Sequence, residues 1–355
     1  MYKGICILLI VLLLLSAYLP VLNPGQYWLS GFASMAFPFI FLACLVTVPL
    51  CWFFSKRYAL LTLIAVLLCL KPATYTWGTH LFHNNAIPAS SGVFSIMTYN
   101  TSSMGLSAYK TDTVVRAAVF DVVAGANPDI LCLQEFYTND DPGKRSHHID
   151  SLRQIGKYPY HYFTCDWVNW NTWYYGLILF SRYPIAAATT IPCNETAVGS
   201  GKSFLQADLV VHGDTIRVLT AQFISYMFSR DDIDNLLHLR SWEILTKMRQ
   251  TFIHRSHQAV QLAALAAASP YPVIICGDLN DTPASFTYMT VSRGLQDAFL
   301  VAGAGWGRTL SYLSPSLRID YILPNPSFRI HSCEVPQPQR SEHFPVMARL
   351  SLKKH

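Results

Sequence analysis

The stretch "VIICGDLNDTPAS" (273–285) raises the question on which the interpretation of the whole chain depends. Its first four residues are apolar and predict a buried strand. Along an extended strand, side chains two positions apart point the same way, so Asp278 and Asn280 share one face while Leu279 turns inward. Asp281, followed by Thr and Pro, is typical of a turn. The polar residues therefore belong either to an ordinary turn or to the rim of an active site.

The other chemistry-bearing residues follow a similar pattern, in which a polar side chain ends or interrupts an apolar run. Residues 93–352 alternate such runs with stretches of helical periodicity, notably 111–129 and 231–268. Many strands with few helices between them predict two packed sheets flanked by helices, and ligand sites form where loops converge at strand ends. The polar residues at these positions are Asn100, Glu135, Asp278, Asn280, Asp320, Glu342 and His343.

Taken singly, each of these residues has an ordinary structural explanation, such as a solvated strand end or a turn. Taken together, several carboxylates, two amides and a histidine suit the hydrolysis of a phosphate ester. Carboxylate and amide oxygens are the ligands that Mg²⁺ prefers. A bound metal and amide donors stabilise negative charge on phosphoryl oxygens. The pattern therefore favours a phosphoesterase that uses Mg²⁺ or Mn²⁺.

Six motifs, in order, resemble those of the endonuclease/exonuclease/phosphatase superfamily, which includes deoxyribonucleases, abasic endonucleases, neutral sphingomyelinases and inositol-polyphosphate phosphatases. The resemblance covers about residues 93–352 and extends to a membrane-anchored bacterial branch. It implies a four-layer α/β sandwich, with two packed mixed β-sheets flanked by helices. The motifs are "SIMTYN", "PDILCLQE", "YGLILFSRYPI", "VIICGDLNDTP", "RIDYIL" and "SEHFPV".

The resemblance also implies a role for each matching residue. The metal-binding residues would be Glu135, Asn100 and Glu342. Asn100, Asn280 and Gln222 would contact the substrate phosphate. Asp278 and Asn280 would position the attacking water. Asp320 would orient the catalytic His343, whose tautomer a carboxylate can fix. The full set of implied site residues is Asn100, Glu135, Gln222, Asp278, Asn280, Asp320, Glu342 and His343.

Two of these positions depart from the family pattern. Glu342 stands where relatives have Asp, so its carboxylate must retract by one C–C bond to reach the same point; it is a direct ligand, a water-mediated ligand or displaced. Gln222, in "LTAQFIS" (219–225), stands where relatives have His or Tyr. Glutamine can donate a hydrogen bond to phosphate but carries no positive charge. We expect a slower enzyme, without loss of all activity.

Two further stretches have more than one interpretation. "HRSH" (254–257) lies on a predicted helix. Because no carboxylate is near, a solvated helix face is favoured there over a pair of metal ligands. "DWVNWNTWYYG" (166–176) is either core packing or an aromatic platform for a base, sugar or lipid head group.

The N-terminal part of the chain has the composition of a membrane anchor. Between Gly4 and Ser55 there is no charged residue, and the first acidic residue is Asp112. Apolar stretches of about 20 residues can cross a bilayer. We predict about three transmembrane helices, at 5–22, 32–54 and 58–77, then a connector at 78–92 and a catalytic domain at 93–355.

The basic residues of the anchor predict its orientation. Lys3 precedes the first span, and Lys56 and Arg57 lie between the second and third. Such residues stay on the cytoplasmic side. Three spans therefore put the catalytic domain on the exoplasmic or periplasmic side of a multi-pass membrane protein, whereas two spans would invert it.

Charge bears on the choice of substrate. Four of the 26 basic residues precede position 91, and the other 22 balance 21 acidic residues. A near-neutral catalytic part favours a lipid head group or small phosphate ester over nucleic acid. The leading hypothesis is thus a membrane-tethered, metal-dependent phosphoesterase that contacts the bilayer through its helices; no obligate protein partner is inferred. The alternatives are a nuclease of extracytoplasmic nucleic acid and a catalytically weak binding module of the same fold.

Overall fold

The chain forms two compact units in the computed structural model. The structure describes residues 2–76, 92–108, 114–140, 147–169, 171–193, 201–226, 241–311, 317–339 and 341–353. The first unit comprises Met1–Trp77, Ser225–Val260 and Asp281–Val291. The second comprises Gly78–Ile224, Gln261–Asn280 and Ser292–His355. The boundary predicted after residue 77 stays a prediction, because the unit that contains the anchor also takes in two later segments. The predicted connector, apart from Gly92, lies outside the described residues.

The first unit begins with apolar helices. Two are long and apolar enough to cross a membrane: Tyr2–Val21, with mean hydropathy 2.7, and Leu29–Phe54, with mean hydropathy 2.2. The third predicted span is a pair of helices, Lys56–Leu68 and Leu70–Thr76, bent by 57°. The described residues therefore contain two candidate spans, or three if the bent pair crosses as one. The helices of this region are α1 (Tyr2–Tyr18), α2 (Leu29–Phe54), α3 (Lys56–Leu68) and α4 (Leu70–Thr76).

The second unit contains two mixed β-sheets with helices beside them, which confirms the predicted fold class. The strands are β1 (Val93–Asn100), β2 (Ile130–Asn139), β3 (Tyr160–Phe163), β4 (Trp167–Asn169), β5 (Trp173–Ser181), β6 (Ile185–Pro192), β7 (Ser203–Val211), β8 (Asp214–Gln222), β9 (Val273–Asp278), β10 (Asp320–Pro324), β11 (Phe328–Glu334) and β12 (Val346–Leu352). The later helices of the chain are α5 (Val114–Ala126), α6 (His148–Gly156), α7 (Ser241–Ala267), α8 (Phe286–Val291) and α9 (Ala298–Ala302).

The strand order explains the two cores of this unit. One sheet has the order β11-β12-β1-β2-β5-β3, with β4 beside β5, and the other β10-β9-β8-β7-β6. Along β1, Phe94 and Ile96 join the core that contains both sheets, whereas Met97 and Tyr99 join a separate core with α5 and α6. This period of two is the alternation expected of a strand buried on both faces.

Candidate active site

Strand register brings the predicted polar residues to the ends of neighbouring strands. β1 and β2 are parallel, and Asn100 is paired with the residue before Glu135. In the other sheet β8 and β9 are parallel, with Gln222 opposite Asp278. β10 runs antiparallel to β9, so its first residue, Asp320, also lies opposite Asp278. The carboxyl ends of β1, β8 and β9, the middle of β2 and the start of β10 thus supply the side chains of one polar cluster.

Two residues of this cluster have strained backbones. Glu135 has φ 49° and Asn280 has φ 51°, in the left-handed region that non-glycine residues seldom adopt. The strand predicted to stop at Glu135 in fact continues to Asn139, and its register shifts between Leu133 and Phe136. This shift is a β-bulge, which redirects a side chain without ending the strand. Backbone strain of this kind concentrates at functional sites.

Gly277 permits the close approach of β9 to β8 beside the cluster. Its φ is 138°, and a Cβ atom there would lie 2.0 Å from the carbonyl oxygen of Ala221. Only glycine fits both the angle and the space. The glycine in "GDLN" is therefore required for the position of Asp278 at the end of β9.

His343 lies against two buried carboxylates. Its Nδ1 is 3.2 Å from Oδ2 of Asp320 and 4.0 Å from Oδ2 of Asp278. All three side chains are at least nine-tenths buried. Thr309 supports the arrangement, because its hydroxyl accepts the backbone N–H of Asp320 and its carbonyl accepts the N–H of Phe344. The predicted neighbours Asp320 and His343 are thus in contact, while their catalytic roles stay a prediction.

Burial and mutual interaction shift two pKa values in this group. Burial, and then the charge of Asp320, raise the pKa of Asp278 to about 7, against the lowering effects of His343 and Asn100. Burial acts to lower the pKa of His343, but Asp320, Asp278 and Glu135 outweigh it and raise that pKa to about 9. Three carboxyl groups accompany one imidazole here. The cluster therefore favours an additional cation.

The donor atoms of the cluster fit a divalent metal. One ligand atom from each of Asp278, Asp320 and His343 lies within 4.8 Å of the others. Oδ1 of Asp320 is buried and has no hydrogen-bond partner among the described residues, which is costly unless a cation or water meets it. Asn100 joins the group to Glu135, since its Nδ2 donates to Oδ2 of Asp278 (3.0 Å) and to Oε1 of Glu135 (3.3 Å). Oxygen-rich sets of this kind suit Mg²⁺ or Mn²⁺.

Uncharged side chains hold the carboxylate of Glu135 on the other side of the cluster. Nε2 of Gln222 donates to Oε1 of Glu135 at 2.7 Å, and the hydroxyl of Ser103 donates to Oε2 at 3.1 Å. Tyr175 in turn donates its hydroxyl to Oε1 of Gln222 at 3.3 Å. Both ends of the Gln222 amide are therefore engaged. The phosphate contact foreseen for Gln222 stays a prediction.

Asn280 and Asp278 are in contact, but through a turn rather than the extended strand that their spacing implied, because β9 ends at Asp278 and Asn280 has φ 51°. The backbone N–H of Asn280 donates to Oδ1 of Asp278, and its Nδ2 donates to Oδ2 of Asp278 and to the carbonyl of Phe223. Leu279 is buried. Asp281 accepts the N–H of Thr282 at 2.9 Å, a bond of the turn type expected there.

The structure does not bring Glu342 into the cluster. Its side chain is exposed, although its neighbours Ser341 and His343 are buried. The carboxyl and imidazole groups gathered within 4.8 Å in the described part of the chain are those of Asp278, Asp320 and His343. Glu342 has a longer side chain than the Asp that the resemblance implies here, and this side chain points outward. A role for Glu342 as a metal ligand stays a prediction without support from the geometry.

Several residues of the site escaped the sequence analysis. Gln134 is fully buried and donates to the hydroxyls of Thr98 and Thr220, which belong to different sheets. Tyr175 lay within the aromatic stretch 166–176, whose role had two interpretations. For Ser103 and Thr309 no motif gave a signal, because their contacts depend on the folded loops.

The comparisons with known proteins agree with this geometry. Residues 97–343 match the profile of the Endonuclease/Exonuclease/phosphatase family. Residues 1–76 match a domain of unknown function (DUF8431). No curated protein matches the chain. The family match covers more than half of the sequence and contains every predicted site residue. Members of this family are hydrolases that act on phosphate esters.

Solved structures show the same fold at low sequence identity. An endonuclease/exonuclease/phosphatase from Beutenbergia cavernae has a TM-score of 0.51 and 20% identity, over 74% of this chain and 72% of its own. The catalytic domain of human nocturnin has a TM-score of 0.51 and 17% identity, over 74% and 95%. A family protein from Leptotrichia buccalis has a TM-score of 0.51 and 15% identity, over 73% and 100%. The chain belongs to the endonuclease/exonuclease/phosphatase family.

Proposed function

We propose that the protein is a membrane-tethered phosphoesterase that requires Mg²⁺ or Mn²⁺. The observation that carries this proposal is the grouping of buried Asp278, Asp320 and His343 within 4.8 Å, beside Asn100 and Glu135. A metal held by Asp278, the orphaned Oδ1 of Asp320 and Glu135 would polarise the phosphoryl group and stabilise its negative charge. Asn100 links Asp278 to Glu135.

The residues of the chain supply the remaining chemistry. Asp320 interacts with Nδ1 of His343, which leaves Nε2 as the ring atom that exchanges a proton with the reacting group. Asp278 and Asn280 orient the attacking water, and Asn280 also contacts the phosphate. The amide of Asn100 orients the phosphate oxygens. The strained backbones of Glu135 and Asn280 preorganise these groups before substrate arrives.

Contacts within the first unit support an exoplasmic position for residues 225–260 and 281–291. Tyr2 stacks edge-on with Tyr58, so the end of α1 that carries Lys3 lies beside the start of α3. At the opposite end, Tyr18 donates to the carbonyl of Leu68. The later segments join the structure near this second end, where Tyr288 packs on Tyr75. Basic residues stay on the cytoplasmic side, which places the helix ends near Lys3 and Lys56 there. The opposite helix ends, near Tyr18 and Leu68, then lie on the exoplasmic side, and the bent α3–α4 pair is the third crossing.

The test uses the full-length protein in detergent with Mn²⁺ or Mg²⁺ and bis-p-nitrophenyl phosphate. We expect hydrolysis that a chelator abolishes and that the His343→Ala variant lacks. Activity equal in both proteins, or absent from both over several ester classes, would contradict the catalytic assignment and leave the binding module as the better interpretation.

Substrate class requires a second assay on the same preparations. We expect turnover of sphingomyelin, phosphatidylinositol phosphates or a small phosphate ester to exceed that of DNA, because the catalytic part is near neutral. A strong preference for single- or double-stranded DNA, with binding that weakens steeply as salt rises, would instead support the nuclease alternative.

A further inference from the structure

Helix α7 has one face packed in the first unit and another face exposed. Phe252 is buried, and its ring meets Phe32 of α2 edge-on at 5.0 Å. A Cβ atom at Gly31 would lie 2.4 Å from the Phe252 ring, so glycine allows the ring to rest on the α2 backbone. The residues of α7 up to Val260 belong to the same compact unit as α2. The helix is therefore fixed against the start of a candidate membrane span.

A buried charge supports this packing. Arg255 is fully buried, and its guanidinium lies 4.2 Å from the ring centre of Tyr226. Burial raises the pKa of Asp281, and the positive charge of Arg255 opposes that rise. Buried charges need such compensation. Of the two histidines of "HRSH" predicted to form a solvated face, His257 is exposed and His254 is partly buried, while Arg255 and Ser256 between them are buried.

The exposed face of α7 carries an apolar stripe. Trp242 is 78% exposed, Leu245 37% and Val260 49%. With Arg249 and the partly buried Ile253 they follow intervals of three, four, four and seven residues, which place them on one side of a helix. Exposed apolar residues aligned in this way mark an interaction surface rather than scattered surface residues.

This stripe is continuous with the end of α2. The Arg249 guanidinium lies 5.5 Å from the ring centre of Trp28, the residue that immediately precedes α2. Tryptophans at the ends of membrane helices lie at the level of the lipid head groups. The charged residue within the stripe is Arg249, whose guanidinium suits lipid phosphates, whereas the exposed Glu243 and Lys247 lie on other faces of the helix.

We infer that α7 is an interfacial helix, whose stripe of Trp242, Leu245, Ile253 and Val260 lies in the head-group and upper acyl layer of the bilayer. This inference rests on the tether in the proposed function and is independent of catalysis. Arg249 interacts with lipid phosphate, and Lys247, about 140° around the helix from Trp242 at 100° per residue, faces water.

The test measures lipid contact in the full-length protein reconstituted in phosphatidylcholine vesicles containing phosphatidylglycerol. Cys165 is the exposed native cysteine among the nine, so Cys165→Ser provides the background. A single Trp242→Cys, Lys247→Cys or Val46→Cys change is labelled with NBD. Val46 is 61% exposed within α2 and reports insertion of the tether. Trp242 projects outward, so its replacement leaves the packed face of α7 intact.

We expect a lipid spin-labelled near the head group to quench NBD at position 242 at least about threefold more than at 247, with blue-shifted emission at 242. Two results together would overturn the interfacial helix but not the membrane tether. The first is equal, weak quenching at 242 and 247, and the second is quenching of the label at 46 by a spin label deep in the acyl layer. No quenching at 46 would contradict the tether itself. A blue shift at 242 without quenching would indicate a protein partner instead and would also overturn the inference.

Discussion

The two sides of the candidate site are built from different chemistry. On one side, Asp278, Asp320 and His343 form a buried charged group in which the imidazole contacts both carboxylates. On the other side, the uncharged Gln222 donates to Glu135, and Tyr175 donates to Gln222 in turn. Asn100 donates to a carboxylate on each side and joins them.

The difference separates the residues that match the family motifs by resemblance from the one that departs from them. The charged side consists of matching residues, and strand register alone brings its two aspartates opposite each other. On the neutral side, the resemblance implies His or Tyr where this chain has Gln222. We therefore expect changes on the charged side to stop the reaction and changes on the neutral side to tune metal binding and rate.

The largest effect is expected on the charged side. His343→Ala removes the group proposed to exchange a proton with the reacting atoms, so kcat at saturating metal should fall by about 10² to 10⁴, a larger change than any in metal affinity measured by calorimetry. His331→Ala, on β11, is the control because His331 contacts Ser351 rather than the site. An equal fall in kcat in both variants would show that the loss is not specific to the charged side of the site.

The next effect is expected where the two sides meet. Glu135→Gln keeps the shape of the side chain but removes the charge facing Asn100. The metal concentration for half-maximal activity should rise by about tenfold or more, and calorimetry should show the same loss of affinity. Glu334→Gln, at an exposed glutamate paired with Arg349, should change neither value. Unaltered metal affinity in Glu135→Gln would argue against Glu135 as a ligand.

A smaller gain is expected from restoring a ring to the neutral side. Gln222→His provides a donor that can be charged, and charge-assisted hydrogen bonds are roughly twice as strong as neutral ones. We expect kcat to rise by about two- to tenfold, and Gln222→Ala to lower it. If histidine and alanine reduce kcat equally, the role of Gln222 is confined to holding Glu135.

The smallest effect is expected from the outer member of the neutral network. Tyr175→Phe removes one hydrogen bond to Gln222, worth about 1 kcal/mol, so metal affinity should fall by several-fold while kcat at saturating metal is retained. Tyr174→Phe, which loses an exposed bond to Asp140, serves as the matched control. A lower kcat at saturating metal would mean that Tyr175 acts on the substrate as well.

The fold class and most of the polar cluster could be predicted because both depend on local pattern. Apolar runs that end in Asn100 and Asp278 mark strand ends, and strand ends meet at one edge of a sheet. The run that ends in Glu135 marks a bulge within β2 instead. The roles implied for these residues stay predictions, but their proximity is observed. Glu342 is the predicted residue that does not join the cluster. The outward direction of its side chain depends on the backbone path around His343, which local sequence pattern does not reveal.

Features that depend on long-range packing could not be predicted. The bulge at Glu135 requires the pairing of β2 with β5, and the contacts of Gln134 require two sheets. The burial of Arg255 follows from the packing of α7 in the first unit, which helical periodicity does not reveal. A membrane helix and a helix packed beside it have similar apolar faces. The boundary predicted at residue 77 therefore gave no sign that part of α7 belongs to the same unit as the apolar helices.

The division of the chain into units has a consequence for proteolysis. Cleavage within 78–92 would separate the spans from everything after them, yet residues 225–260 and 281–291 belong to the unit of the spans. These segments precede and follow β9, the strand that carries Asp278. A protease that cut there would not shed a self-contained soluble enzyme, because the product would expose Phe252 and its apolar neighbours. On the proposed function and topology, activity should therefore remain with the membrane rather than appear in the medium.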